Sequence, residues 1–467
     1  MNTHPPNKGI IGPALPGAAQ SGEVEQQSSV TATSNSEHPD ELHGLEALRS
    51  QIAHWLHIPA EDQDGIDFIL AVYVSNRFPG DPLWGLLVDA SGGGKTELLR
   101  PLRRRPDAYF VSKLTEKSLK SGYRDPKNPD KDPSLLPQLD GKVLIIKDLS
   151  PILSMRRESR NAIISDLRDA YDGFTDDGFG NVGKVSYESR FSLLAASTLA
   201  IERFNTVDQE LGERFVKFRA RGKDNRSKVR RAVDNAGKDD GWRKQIDAAI
   251  EQFLSTLPSG ISQEIPTGLR GALAVVSDFI ATARSHVPRD RNHTLAYVPR
   301  PEVGTRLGKE LSKLLLALAY IRGKKQPDEQ DVLTVLRVAE DCLPPNRLET
   351  LAAIISSRKP ALPDKTARDT IADLKILGIL DAEGRLEQSW SESLQEIGKL
   401  LSTPPLQKCA TSGVSEVFIG FIGSDLSTPP DTAHLSEAPE SEPKPSPGDS
   451  DSAGGVIGRG ATEGRMP

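Results

Sequence analysis

Three short, almost wholly apolar runs dominate the first half of the chain. They cover residues 83–88, 143–146 and 191–196, and polar residues follow each of them closely. Runs of this length without alternation are typical of strands buried on both faces, as in a parallel sheet covered by helices. The pattern therefore predicts an α/β core in this half of the chain.

The second half changes to a helical period. Apolar residues recur every three or four positions in four segments, at 240–257, 268–283, 303–322 and 329–342. This spacing places the apolar side chains on one face of each helix. We predict an α/β core over residues 41–235, followed by a helical domain over residues 236–345.

Residues 346–400 predict a winged helix-turn-helix. Amphipathic helical spacing covers 347–357 and 365–376, and 377–386 is typical of a strand, a turn and a second strand. Recognition helices contact base edges through their N-terminal residues. The candidate DNA-binding residues are Lys365, Thr366, Arg368 and, in the wing, Arg385. Because acidic residues lie among them, use of the module for protein contacts stays an alternative.

The strongest chemical signal lies between the first apolar run and the next predicted helix. The residues are Ser91, Gly92, Gly93, Gly94, Lys95 and Thr96. Glycines let backbone N–H groups close around phosphate oxygens, and a following helix adds the positive end of its dipole. Lys95 would reach the β- and γ-phosphates, and the Thr96 hydroxyl would bind Mg²⁺. The sequence therefore predicts a P-loop that binds ATP with Mg²⁺.

One position departs from the P-loop pattern. The first glycine of that pattern falls on Asp89 in this chain. A carboxylate at this place repels incoming phosphates unless it points away from them. We therefore expect Asp89 to limit the affinity for ATP.

The second apolar run is followed by Asp148, about fifty residues after the loop. Asp148 would hold Mg²⁺, directly or through water, as a Walker B acid does. The next residue is Leu149, where many P-loop ATPases carry a catalytic glutamate. The sequence therefore predicts nucleotide binding more firmly than fast hydrolysis.

The stretch from 76 to 219 resembles a group of bacterial and prophage P-loop ATPases, most of them uncharacterised. The matching residues are 80–84, 94–97, 114–116, 147–148, 152–155, 171–173 and 212–215. Members usually carry Gly-Pro-Pro-x-Ser-Gly-Lys-Thr at the loop, and residues 89–93 differ from it. More loosely, the order of loop, acid, strand and arginine is similar to AAA+ replication and recombination ATPases. The resemblance implies an AAA+-like P-loop core and ATP binding.

The AAA+ resemblance also implies roles for three further residues. Thr198, after the third apolar run, would be sensor 1, and Arg214 would be an arginine finger acting in a neighbouring subunit or in its own site. Arg306, at the start of a helix, would be the sensor 2 arginine of a helical lid. The alternatives are a surface Arg214 paired with Glu210 or Glu213, and an Arg306 on a solvated helix face.

Both ends of the chain are predicted to be disordered. Residues 1–40 and 401–467 are rich in Pro, Gly, Ser and Glu and lack an apolar period, so they bury too little apolar surface to offset chain entropy. An apolar island at 417–422 interrupts the second tail. We interpret it as a sticky loop rather than as a segment docked on the body.

Charge and composition limit the partners and the cellular compartment that the sequence predicts. The net charge of −6 argues against nonspecific coating of nucleic acid by the whole chain, although residues 217–231 hold eight Lys or Arg and are predicted to form a solvated face. Two cysteines, scattered histidines and the lack of a signal segment or an apolar span predict a cytoplasmic protein without a zinc site.

Together these patterns predict an ATP-binding P-loop ATPase that acts on DNA or is regulated by it, in a prophage or mobile element. Two alternatives stay open. One is an ATP-gated winged-helix regulator with little turnover, and the other is a protein-remodelling ATPase that does not use DNA. The predicted partners are ATP and Mg²⁺, with DNA and a homo-oligomeric ring formed on ATP as further candidates.

Overall fold

The protein is described by a computed structural model that covers most of the chain between residues 43 and 401. The described residues are 43–123, 127, 132–180, 183–203, 214–292, 294–401 and 417–418. The predicted N-terminal tail and nearly all of the C-terminal tail lie outside them. Residues 211–213, which belong to the predicted arginine-finger segment, also lie outside.

The apolar runs form the centre of a parallel sheet. The strands are β1 Trp84–Val88, β2 Ala108–Val111, β3 Val143–Ile146, β4 Phe174–Phe179, β5 Gly183–Glu188, β6 Ser192–Ser197 and β7 Val216–Arg219. Five of them pair in parallel in the order β2-β3-β6-β1-β7, and β4 and β5 form a separate antiparallel hairpin. Strand β6 therefore lies between β1 and β3, and the α/β prediction is confirmed.

Helices pack around the sheet and make up most of the other regular elements of the described chain. They are α1 His43–Trp55, α2 Asp64–Val74, α3 Lys95–Leu99, α4 Leu136–Leu139, α5 Ser150–Leu153, α6 Arg157–Tyr171, α7 Asn225–Asp234, α8 Asp239–Thr256, α9 Thr267–Arg284, α10 Thr305–Ile321, α11 Glu329–Asp341, α12 Pro345–Ile355, α13 Asp364–Ile376 and α14 Gln388–Leu401. All four segments with a predicted helical period are helices.

Two hydrophobic cores lie on the two faces of the sheet, because alternate residues of each strand point to opposite sides. Leu86 of β1 belongs to the core that includes Ile163 of α6, and Leu87 belongs to the core that includes α2 and α10. Helix α2 approaches the sheet closely at Gly85, where a Cβ atom would lie 2.7 Å from Val72. A side chain at Gly85 would push α2 off the strand.

The helices after residue 235 extend this second core. Helix α10 packs on α2, and its buried Leu311 and Leu318 share one core with Leu87 of the sheet. These helices therefore form a layer on one sheet face. Arg243 of α8 also pairs with Glu97, on the helix that follows the glycine loop, at 2.9 Å. The lid stays a prediction. The core runs without interruption through the predicted boundary at 235/236.

The segment predicted as a winged helix-turn-helix contains the two helices, α12 and α13, which pack on each other. The predicted wing is only a single antiparallel bridge between Leu380 and Leu386. Helix α14 then packs on α9. The helical part of the prediction is present, and the described residues do not form the two-stranded wing.

Two further sequence interpretations need correction. Two of the eight basic residues at 217–231 do not belong to a solvated face, because Lys217 and Arg219 are buried. The Arg219 N–H donates to Asp341 Oδ2 at 2.8 Å. The start of the apolar island is docked, since Val417 and Phe418 are buried and their N–H groups donate to Glu340 Oε1 at 2.8 and 2.9 Å. Both contacts join residues far apart in sequence.

Among the described residues, the model contains no helix whose length and hydropathy would let it traverse a lipid bilayer.

Candidate functional site

The glycine-rich loop follows β1 and leads into α3. Gly92 and Gly94 have φ values of 80° and 95°, in the left-handed region that favours glycine. The Gly93 N–H donates to the Ala90 carbonyl at 3.1 Å, which closes the turn. The glycines are therefore needed for the shape of the loop.

The Lys95 side chain folds back onto the backbone of its own loop. Its Nζ donates to the carbonyl oxygens of Asp89 at 2.7 Å and Ala90 at 2.6 Å. Partial burial lowers the pKa of Lys95, nearby Asp89 and Asp148 oppose this shift, and Lys228 adds to it. The ammonium group therefore lies among the charges of the loop and of the predicted metal ligand, held by contacts that a bound phosphate would replace.

Asp89 is part of the loop structure. Its Oδ1 accepts a hydrogen bond from the Ala90 N–H at 2.6 Å, and its Oδ2 lies 3.7 Å from Lys228 Nζ on α7. A Cβ atom on Gly93 would lie 1.9 Å from Asp89 Oδ2. The carboxylate thus packs directly against Gly93, so the departure from the P-loop pattern places negative charge against the loop that would hold phosphate.

The predicted metal ligand and sensor lie at the same edge of the sheet. Asp148 follows β3, and its Oδ1 accepts from the Ser150 N–H at 2.8 Å. The Ser150 hydroxyl is 3.2 Å from the Thr198 hydroxyl, which follows β6. Val88, the last residue of β1, pairs with Ser197. The carboxyl ends of β1, β6 and β3 therefore bring the loop, Thr198 and Asp148 together.

Leu149 has a structural role. Its side chain is buried, and its N–H donates to the Ala196 carbonyl at 2.8 Å. A glutamate there would have to bury an unpaired carboxylate, which is costly. The position next to Asp148 therefore supplies no base to activate water.

Arg214 lies at the opposite edge of the sheet. It precedes β7 by two residues, is only 6% exposed, contacts the ring of Tyr171 and pairs with Asp172 Oδ2 at 3.7 Å. Tyr171 itself packs on Trp84 at the start of β1. Arg214 therefore lies at the opposite edge of the sheet from its own P-loop, and its burial against Tyr171 keeps it from reaching a neighbouring subunit. Neither arginine-finger role fits this placement.

Arg306 is found in the same place. Its guanidinium lies 5.8 Å from the centre of the Tyr171 ring, so Tyr171 is flanked by Arg306 and Arg214. This is the amino-terminal edge of the strands, and the P-loop is at the carboxyl-terminal edge. The sensor 2 prediction is wrong because α10 packs along the sheet face instead of covering the loop.

The predicted DNA-binding residues lie outside the P-loop site, and they differ in exposure and in ion pairing. Lys365 and Arg368 are exposed on the first turns of α13, and the Thr366 side chain is half-buried. Arg385 pairs with Asp381 at 3.0 Å and with Glu383 at 3.1 Å, so its charge is largely neutralised. Two exposed cations form a weak electrostatic footprint for DNA.

The sequence interpretation missed a basic pocket beside Thr96. It has a volume of about 250 Å³ and is lined by Thr96, Arg100, Arg103, Phe110, Ser112 and Lys147. The signal was present in the sequence, since Thr96, Arg100 and Arg103 recur at the spacing of one helix face. Lys228, which faces Asp89 from α7, gave no local signal because its role depends on a contact across 139 residues of sequence.

The site has the donors that a magnesium–triphosphate complex needs. Thr96 offers a hydroxyl and Asp148 a carboxylate, and Mg²⁺ usually takes one or two protein ligands together with phosphate oxygens and water. The described residues contain no cluster of three or more His, Cys, Asp or Glu that would hold a metal alone. The donor set therefore fits a metal ion that arrives with a nucleotide.

No model of a known protein family matches the chain, and no curated protein matches it.

Proposed function

We propose that the chain is an Mg²⁺-dependent ATP-binding P-loop protein that acts as a slowly hydrolysing switch. The observation that carries the proposal is the convergence of the glycine loop, Lys95, Asp148 and Thr198 at one sheet edge. Lys95 would exchange the carbonyls of Asp89 and Ala90 for phosphate oxygens, and Thr96 and Asp148 would hold the metal ion. The bound Mg²⁺ would neutralise phosphate charge.

Slow turnover follows from what the site lacks in the described residues. The side chain after Asp148 is the buried Leu149, and Arg214 is packed on Tyr171 at the other edge. An activating base and an arginine finger each accelerate phosphoryl transfer by large factors. Binding groups without these accelerators favour a nucleotide-dependent switch over a motor.

The second candidate is an ATPase whose turnover depends on DNA, as the sequence suggested. The observation that favours it is the exposure of Lys365 and Arg368 on α13. The deciding experiment measures ATP binding and ATP turnover with and without single- and double-stranded DNA. Mg²⁺-dependent binding with little turnover in all three conditions supports the switch, and strong stimulation by DNA supports the motor. Absence of ATP binding excludes both.

We expect Asp148→Asn to retain most ATP binding and to lose turnover by about 10²-fold or more. The reason is that a metal ligand matters most for the charge that develops during phosphoryl transfer. Equilibrium binding of a fluorescent ATP analogue and single-turnover hydrolysis measure the two effects. Asp140→Asn, three residues before β3, is the control and should change neither ATP binding nor turnover. Hydrolysis at the wild-type rate in Asp148→Asn would place the metal ligand elsewhere.

We expect Asp89→Gly to tighten ATP binding several-fold. It removes the carboxylate that packs against Gly93 and frees Lys228 for phosphate contact. Asp89→Asn separates the two causes, because it removes the charge and keeps the size. If both variants bind ATP more tightly, the cause is removal of charge repulsion. If only Asp89→Gly binds ATP more tightly, the cause is removal of the side chain's volume. Weaker binding in both would show that the Asp89 carboxylate is needed to hold the loop.

A further inference from the structure

The basic pocket beside Thr96 has a wall without any carboxylate. Its volume is about 250 Å³, and the wall consists of three cations, two hydroxyl groups and one aromatic ring, namely Arg100, Arg103, Lys147, Thr96, Ser112 and Phe110. Ligand pockets usually measure about 300 Å³ or more, so this one suits a small ligand. Since a concave surface lined by one sign of charge concentrates counter-ions, the ligand should be an anion.

The pocket lies at the carboxyl edge of the sheet, on the side of β2 and β3. Ser112 and Lys147 directly follow these two strands, which pair with each other. The Lys147 N–H donates to the Val111 carbonyl at 3.1 Å, so the two wall residues leave the sheet side by side. Thr96 is the only wall residue that also belongs to the glycine-rich loop. The pocket is therefore a separate space beside the metal–triphosphate site of the proposed function.

Two of the three cations have no side-chain partner among the described residues. Arg103 and Lys147 are exposed, and neither side chain makes a hydrogen bond or an ion pair there. Asp148 follows Lys147 in sequence but does not line the pocket. The next arginine differs, since Arg104 pairs with Asp247 of α8 at 3.8 Å. The charges of Arg103 and Lys147 therefore remain to be matched by a ligand.

The third cation, Arg100, shares its acidic partner with another arginine. Its Nε lies 3.3 Å from Glu97 Oε2. Arg243 of α8 donates to both oxygens of the same carboxylate, from Nε and Nη2, at 2.9 Å each. One carboxylate thus faces two guanidinium groups, so Arg100 adds to the positive charge of the pocket.

We infer that this pocket binds a small phosphomonoester, with the phosphate on Arg100, Arg103 and Lys147 and the organic body against Phe110. Three cations match a phosphate dianion, and guanidinium groups form strong charge-assisted hydrogen bonds with phosphate oxygens. The inference goes beyond the proposed function because it names a second ligand beside the nucleotide. It rests on the wall of the pocket and does not require ATP.

The probe is phenyl phosphate, which joins a phosphate dianion to one ring. Isothermal titration calorimetry on the full chain, at about pH 8 and physiological ionic strength, should give a Kd of about 1 mM or lower. Arg103→Gln and Lys147→Gln should each weaken binding about tenfold, because each removes a charged hydrogen-bond donor. Arg104→Gln is the matched control and should leave the affinity unchanged, since Arg104 pairs with α8 and does not line the pocket.

The P-loop of the proposed function would also attract phosphate, so a further variant separates the two sites. Lys95→Ala should weaken ATP binding and retain the affinity for phenyl phosphate, because Lys95 does not line the pocket. Loss of phenyl phosphate binding in Lys95→Ala, with normal binding in Arg103→Gln, would place the phosphate in the P-loop and overturn the inference. Failure of the wild-type protein to bind ATP would count against the proposed function alone.

A nucleic-acid backbone is the other source of phosphate groups. An oligothymidylate without terminal phosphates carries only phosphodiesters with one charge each, so it should not displace phenyl phosphate from the pocket. Displacement by the oligothymidylate, together with loss of its binding in Arg103→Gln, would assign the pocket to nucleic acid and overturn the inference. Absence of phenyl phosphate binding to the wild-type protein, or equal binding to Arg103→Gln and Arg104→Gln, would overturn it as well.

Discussion

Lys95→Ala is expected to weaken ATP binding by about 10- to 100-fold and to lower turnover by about 10²- to 10³-fold. A hydrogen bond to a charged group contributes about 1.5–3 kcal/mol, which corresponds to that loss of affinity. The larger effect on turnover arises because charge on the transferred group grows in the transition state.

The fold should survive this change, because the Lys95 ammonium group donates its hydrogen bonds to carbonyls of the loop itself and holds no other element in place. Lys117→Ala removes an exposed lysine from the segment after β2 and serves as the control. Equilibrium binding of a fluorescent ATP analogue, steady-state hydrolysis and circular dichroism measure the three properties. Normal ATP affinity in a folded Lys95→Ala protein would exclude this loop as the nucleotide site.

Arg322→Met is expected to destabilise the protein by up to about 3–5 kcal/mol, the cost of removing one partner from a buried ion-pair network. Arg49 stays paired with Asp67, and Lys324 stays paired with Asp331. Arg322 follows α10 and donates to Asp67 Oδ2 at 2.6 Å and to Asp331 Oδ1 at 2.6 Å. Asp67 and Asp331 are both fully buried. Since whole domains are stable by only about 5–15 kcal/mol, the loss should be visible in a single urea titration.

Two comparison variants make the Arg322 test specific. Arg385→Met removes an exposed arginine that pairs with Asp381, and we expect no measurable change because surface ion pairs contribute little. Arg322→Met with Asp67→Leu replaces charge by apolar volume on both sides. The double variant should be more stable than Arg322→Met alone. If both single variants, Arg322→Met and Arg385→Met, behave alike, the buried network does not hold α10 to α2.

The sheet and the P-loop edge could be predicted because their signals are local. Buried strands appear as apolar runs, and the residue after such a run lies at the sheet edge, as Asp148 and Thr198 do. The helices were equally visible, because each carries its own apolar period. The P-loop could also be predicted locally, because the glycines that adopt positive φ are adjacent in sequence.

The residues that were misjudged depend on contacts across long stretches of sequence. Arg214 is buried by Tyr171 and Asp172, and Arg306 packs on the same ring although 135 residues separate it from Tyr171. The local sequence around a basic residue does not indicate whether an acidic residue far along the chain will pair with it. Arg219 and Asp341 are 122 residues apart, and only the folded chain brings them together.

Helix α2 has a consequence for the synthesis of the protein. Ten of its eleven residues are buried, and its partner α10 follows about 230 residues later in the chain. At a translation rate of about 5–20 residues per second, the ribosome needs about 10–50 s to make the covering helix after α2 has been made. During that interval one apolar side of α2 has no permanent partner. We therefore expect chaperones that bind short apolar segments to bind α2 on the nascent chain, before the fold that supports the nucleotide loop is complete.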